Sequence, residues 1–284
     1  MKIEQNRWTH ICPDGQSNIW SDAARNLSYV NGKSIAQTRR HKGKYIPQTF
    51  LMRFTLTAGD GVAFYTLPNS YPVRNAVVLA GAARDEMLKS AGIRRSNLES
   101  YQTELRLHHE CGASEAKYLL PGNLTLGSTA DAEFGKNVVF DYTSVTYTDS
   151  GGEQTKQMVV LGDTSPPANG TCYEAVNNWI SYRRSFTPPT DANDISPDNL
   201  VSRIMQQSDT AKGIIDALDD EQDEKPYNLD DFKTAAVLGV ALSPSQSGVN
   251  QMTVEVPLGL YWVGPSSLPK AAVIDVEVLG VRDM

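Results

Sequence analysis

Long apolar runs are missing from this chain. None approaches the roughly 20 residues that a bilayer-spanning helix needs, so no transmembrane segment is expected. The opening stretch from Met1 to Trp8 lacks the apolar core of a secretory signal peptide, and export by that route is not expected. Cysteine is scarce: Cys12, Cys111 and Cys172 are too few and too scattered for a disulfide framework, and three separate reduced thiols are expected. The three N-x-S/T sequons, at Asn26, Asn123 and Asn169, then read as chance matches. A general positive charge is also absent. Lys and Arg total 26 against 33 Asp and Glu, giving a net charge of -7, which favours solubility over a chain-wide affinity for nucleic acid. Neither a Walker pattern nor G-x-G-x-x-G occurs, and no G-x-S-x-G elbow, so the common phosphate-cradling and serine-hydrolase signatures have no support. No internal repeat of about 20–50 residues is visible, which argues against a solenoid or propeller.

What the chain does carry is alternation. Hydrophobic residues make up 40% and charged residues 21%, the balance of a globular chain. Met252, Val254, Val256, Leu258 and Leu260 alternate with Thr253, Glu255, Pro257 and Gly259. Ile274, Val276 and Val278 then alternate with Asp275 and Glu277. A period of two marks strands with one dry and one wet face. The same pattern runs from Phe50 to Thr57, where Gly59-Asp60-Gly61 turns it into Val62–Leu67. Val73 to Gly81 reads as a buried strand, and Ala82 to Ala91 as a helix capped by Gly92. Tyr101 to Glu110 alternates again with Leu105 and Leu107 inward. Val138–Thr148 turns at Ser150-Gly151-Gly152 into Gln157–Leu161, a hairpin. A helix is expected from Thr171, with Cys172, Val176, Trp179 and Ile180 on one face, and a second from Ser196 to Leu218. Val237 to Leu242 returns to strand. Roughly eight to ten strands therefore surround a helical insertion near 170–225.

The fold expected is mainly β: an antiparallel sandwich or jelly roll, either single with insertions or two fused, with that helical insertion. Residues 1–47 lack periodicity and read as an extended N-terminal arm. Residues 48–284 form the body.

Groups able to do chemistry are few. His108-His109-Glu110-Cys111 has metal-ligand residue types. Strand alternation, however, sets His109 and Cys111 on the side of Leu105 and Leu107, and His108 on the other with Glu104, Arg106 and Glu110, so a half-buried strand end is expected. The run Asp219 to Glu224 lacks the alternating oxygens and glycine of a calcium loop and reads as solvated. Tyr261-Trp262 and Trp179 with Tyr182 could stack on sugars, yet aromatics on strands and helices are more often core or interface. The basic cluster holds Arg39, Arg40, Lys42 and Lys44. It reads first as a solvated loop; its candidate contacts are nucleic acid or an acidic neighbour such as Asp219–Glu224 on another copy, nucleic acid not being favoured. No catalytic residue, cofactor or metal site is expected.

The whole-chain pattern resembles viral coat proteins of the β-sandwich or jelly-roll type, those of bacteriophages in particular. An irregular N-terminal segment precedes many alternating strands with long polar connections, a helical excursion, and a last strand (Ala272 to Val281) near the C-terminus. The resemblance implies a non-enzymatic virion structural protein, most of all a major capsid protein that self-assembles into a shell. Its partners would be copies of itself and other virion proteins, and its location the virion, with the host cytoplasm during assembly. The lack of a long basic arm implies indirect genome contact, as in shells of membrane-lined or tailed bacterial viruses. The alternatives are a capsid-decorating or tail structural protein and, from a different class, a β-sandwich carbohydrate-binding module or glycan-active enzyme.

Overall fold

The structure is a computed structural model, and it describes residues 5–12, 19–58, 62–94, 98, 104–110, 142–149, 152–161, 172–176, 178–179, 238–242, 250–265 and 272–284. The protein is mainly β with antiparallel sheets. The first sheet joins β1 (Arg7–Cys12), β13 (Ala272–Asp283), β4 (Lys44–Ala58) and β11 (Gln251–Pro257) in that order, with β3 (Thr38–His41) paired to the start of β4. The second runs β10 (Leu238–Leu242), β5 (Val62–Thr66), β12 (Leu260–Pro265), β2 (Ile19–Asp22). All pairings within these two sheets are antiparallel.

One face of each sheet contributes to a shared core. Phe50, Met52, Phe54 and Leu56 of β4 and Ile274, Val276 and Val278 of β13 meet Val62 and Phe64 of β5 and Tyr261 and Val263 of β12. The ring of Phe54 joins the layers: its centroid lies 4.3 Å from that of Phe64 and 5.2 Å, edge-on, from that of Tyr261. Such offset and T-shaped contacts add to the burial of the rings. The strict dry face expected for the last strand is present, since burial alternates from Ala272 to Val278.

The expected arm over 1–47 is corrected. β1 pairs rung by rung with β13, from Arg7 opposite Glu277 to Cys12 opposite Ala272. The helix α1 (Ala23–Asn31) buries Ala23, Ala24 and Leu27 in the shared core. These strands are six and four residues long, too short for a periodic signal. α1 is only nine residues long and buries Arg25 and Asn26 beside its apolar residues, so its stripe of Ala23, Leu27 and Val30 is brief.

The strand expected over Val73–Gly81 is also corrected. It belongs to the helix α2 (Tyr71–Ser90), which opens with a proline in its first turn. Val73, Ala76, Val77 and Ala80 are buried and Arg74 and Asn75 exposed, a helical rather than a strand period. The Gly92 cap holds. Gly92 has φ +69, its N–H donates to Lys89 O, and Ile93 N–H reaches back to Leu88 O, closing a Schellman motif. α2 packs with Tyr45, Leu105, Leu107, Met158, Val160, Trp179 and Leu258 in a second core.

The single strand read over 252–261 is two. Leu258 (φ +57) and Gly259 (φ +71) turn the chain out of the first sheet and into the second. Alternation survives the turn because Leu258 and Leu260 are buried in the second core while Val256 lies in the first. A third sheet contains the expected hairpin, β7 (Ser144–Asp149) with β8 (Gly152–Leu161), and places β6 (His108–Glu110) and β9 (Cys172–Glu174) parallel to β8. The helix expected from Thr171 is thus a strand at first and turns helical only from Ala175. Cys172 is disulfide-bonded, correcting the expectation of three separate thiols. Spacing along the chain does not report which segments a sheet brings together. Residues 180–237, including the second expected helix and the acidic run, lie outside the described residues.

Candidate functional site

Two polar constellations stand out, one inside the protein and one on its surface. The inner one begins at Asp22. Its carboxylate caps α1, accepting from the N–H groups of Ala24 (2.9 Å) and Arg25 (3.2 Å). The other oxygen accepts from Gln37 Nε2 (2.8 Å) and the Tyr142 hydroxyl (3.3 Å). Gln37 in turn holds the backbone of Leu107, accepting its N–H at 2.7 Å and donating to its carbonyl at 3.1 Å. The Arg25 guanidinium lies 5.4 Å from the centre of the Tyr142 ring. The opposite side of this segment is fixed by Thr143, whose hydroxyl accepts from Arg106 N–H (3.0 Å) and whose N–H donates to Arg106 O (2.9 Å).

The half-buried strand end expected at His108-His109 is therefore corrected. All five residues from Leu105 to His109 are buried, because neighbours on both sides take up their backbone and polar groups. His109 Nε2 donates to Tyr261 O (3.2 Å), and His108 Nδ1 accepts from His109 N–H (3.1 Å). Arg106 donates to Glu104 at 2.7 Å and also bonds Ser34.

Burial sets the charge states. It raises Asp22 to about 6 against the pull of its hydrogen bonds and of Arg25. It lowers His108 to about 4, with Arg25 adding to the effect, and holds His109 well below the ordinary histidine value. Burial also raises Glu104 and lowers Arg106, in each case outweighing their mutual attraction. Neutral, inward histidines serve here as hydrogen-bonding groups. Among the described residues no three His, Cys, Asp or Glu side chains come together as a metal site. Asp22, Arg25 and Gln37 were not singled out by sequence, although Asp22 before Ala23-Ala24 is a legible helix cap.

The surface constellation is the basic cluster. It forms a tight β3–β4 hairpin, Thr38 opposite Pro47 through His41 opposite Lys44. Lys42 (φ +47) and Gly43 (φ +82) make the two-residue turn, the arrangement whose twist suits a hairpin. The four predicted contact residues divide. Arg39 pairs with Asp283 near the end of β13. Arg40 clamps Asp85 of α2 with two bonds, 3.2 and 2.9 Å, and lies 5.1 Å from the Tyr45 ring centre. Lys42 and Lys44 are exposed and make no ion pair with a described residue. Together with His41 and Arg74 they rim a cleft of about 300 Å³ whose floor includes Ile46, Pro47 and Val78. Arg74 escaped sequence reading because its helix resembled a strand.

The wet-face carboxylates are engaged within the chain. Glu277 pairs with Arg53 (3.2 Å), Asp275 accepts from Thr9 (2.6 Å), and Glu255 pairs with Arg282, which with Asn69 holds it below the usual carboxylate range. Of the aromatic candidates, Tyr261 and Trp179 are buried, and the side chains of Trp262 and Tyr182 lie outside the described ones. Among the described residues no helix is long and apolar enough to cross a membrane. No family model, curated protein or solved structure matches this chain.

Proposed function

We propose that this chain is a virion structural protein, a major capsid protein built on a single jelly roll with an insertion. The order of the strands carries the reading. Counting only the strands of the two facing sheets, and leaving out the β3 hairpin, the first sheet runs first–eighth–third–sixth in chain order and the second fifth–fourth–seventh–second. That order arises when a long antiparallel ribbon is rolled so that two Greek keys close on each other. Jelly rolls serve viral shells and lectins. Burial of Tyr261 and Trp179 removes two of the aromatic faces a sugar would need and favours the shell.

The role is mechanical. Copies of the chain bury surface against each other, and symmetry multiplies each modest contact. Other virion proteins are the further partners, in the virion and in the host cytoplasm during assembly. Direct nucleic-acid contact is the less favoured role of the hairpin, since Arg39 and Arg40 are already paired with Asp283 and Asp85. Sedimentation velocity and negative-stain imaging of the purified chain test the proposal. Closed symmetric shells are expected. Small rings or trimers that bind only to preformed shells would make it a decorating protein. A monomer at all concentrations that binds a glycan would sink the capsid reading.

A further inference from the structure

The cleft between the β3–β4 hairpin and α2 gathers cations that no described acid balances. Lys42, Lys44 and Arg74 are exposed, none makes an ion pair with a described residue, and no carboxylate lines the cleft. The two acids bonded to this hairpin are engaged by its arginines: Asp85 by Arg40, Asp283 by Arg39. The rim is firmly presented. The two-residue turn fixes Lys42 and Lys44, and the Arg40 clamp on Asp85 ties the hairpin to the helix that carries Arg74. The floor is apolar, with Pro47 buried and Ile46 and Val78 half-buried. About 300 Å³ is at the small end of ligand pockets, room for a short side-chain cluster.

Such a site fits an anion that also carries apolar groups. A chain of net charge -7 holds one dense match in its own sequence: Asp219-Asp220-Glu221-Gln222-Asp223-Glu224 has five carboxylates in six residues, with Leu218 before it and Tyr227 shortly after. We propose that the cleft docks this acidic segment from a second copy of the chain, an inference that rests on the self-assembly reading and gives it a specific contact. Three cations match a short acidic peptide better than a polynucleotide. Phosphate backbones are typically held by more contacts, and about three would leave binding weak at physiological salt.

The test uses the full chain. Unlabelled and 15N-labelled copies are mixed and treated with a zero-length carbodiimide, and cross-linked peptides are read by mass. Sedimentation of the same sample reports assembly separately. Heavy–light pairs joining Lys42 or Lys44 to residues 219–224 are expected. Lys42→Glu/Lys44→Glu, which removes the reactive amines themselves, is read by sedimentation instead and should cut assembly at least tenfold with an unchanged circular dichroism spectrum. Adding Asp219→Lys/Asp220→Lys should restore assembly. Assembly without the heavy–light pair overturns the docking inference and leaves the assembly reading standing. Pairs found only within one isotope place the segment on its own copy and also overturn it. So does a single-stranded oligonucleotide that abolishes the cross-link at physiological salt, since nucleic acid would then be the occupant.

Discussion

The buried pair Asp22 and His108 answers to pH in opposite senses. Asp22 has its folded pKa raised from 3.8 to about 6. Its contribution is therefore fully present below 3.8 and lost as pH rises through 6. His108 is lowered from 6.5 to about 4, so its contribution is present above 6.5 and lost as pH falls through 4. Each shift corresponds to about 3 kcal/mol, and over pH 4–6 the two largely offset. His108→Asn keeps an acceptor for the His109 N–H and removes the titration. Relative to wild type, this variant should gain about 2–3 kcal/mol between pH 6.5 and 4 by urea denaturation. Asp22→Asn should lose a similar amount, relative to wild type, between pH 6 and 4. Flat difference curves would show that the two groups do not titrate as described. A third residue is fixed by its backbone. At Gly259 an added Cβ would meet the Ala23 Cβ at 3.1 Å and the Ala24 nitrogen at 3.2 Å, on a φ of +71. Gly259→Ala should cost about 2 kcal/mol or more, read as a lower midpoint of unfolding.

At the scale of elements, the hairpin and α2 behave as one unit because of a missing side chain. A Cβ on Gly81 would lie 2.2 Å from Tyr45 Cδ2, and the Tyr45 hydroxyl is held by Asp85 (3.1 Å) and Arg84 (3.2 Å). Alanine is normally the better helix former by about 1 kcal/mol. Here Gly81→Ala should instead destabilise by about 1–3 kcal/mol, as overpacking does. In a Tyr45→Ala background the same Gly81→Ala change should cost less than in the wild type; a stabilised single variant would refute the close approach. These elements also show what the sequence could disclose. The β7–β8 hairpin, the dry face of β13 and the Gly92 cap were legible because each depends on neighbours along the chain. α2 was misread because its buried residues are small and valine-rich, so strand propensity outweighed a helical period that only burial reveals. The inner polar cluster was illegible for another reason. Gln37 and Leu107 are 70 residues apart, and nothing local joins them.

At the scale of the molecule, the two ends of the chain are woven into one sheet. β13 lies between β1 and β4, and Met284 N–H donates to Pro47 O at 2.9 Å. An independent arm over 1–47 would be dispensable to the fold. The structure instead expects deletion of residues 1–47 to abolish cooperative thermal unfolding, because it removes β1, α1 and β3 together with the buried Trp8, Ala24, Leu27 and Ile35. A truncated protein with a sharp calorimetric transition would contradict this. The alternation of the C-terminal residues announced a sheet but not the partner of its last strand, since pairing between Arg7 and Glu277 spans nearly the whole chain.

That pairing has a mechanical side. β1 and β13 are antiparallel, with Val278 N–H bonded to Asn6 O at the rung where β1 begins. Tension applied between the first and last described residues would therefore load the rungs one after another, from Arg7–Glu277 toward Cys12–Ala272, as a zip is opened. A single-molecule pulling trace should show low-force, stepwise release of β1 before the rest of the body yields.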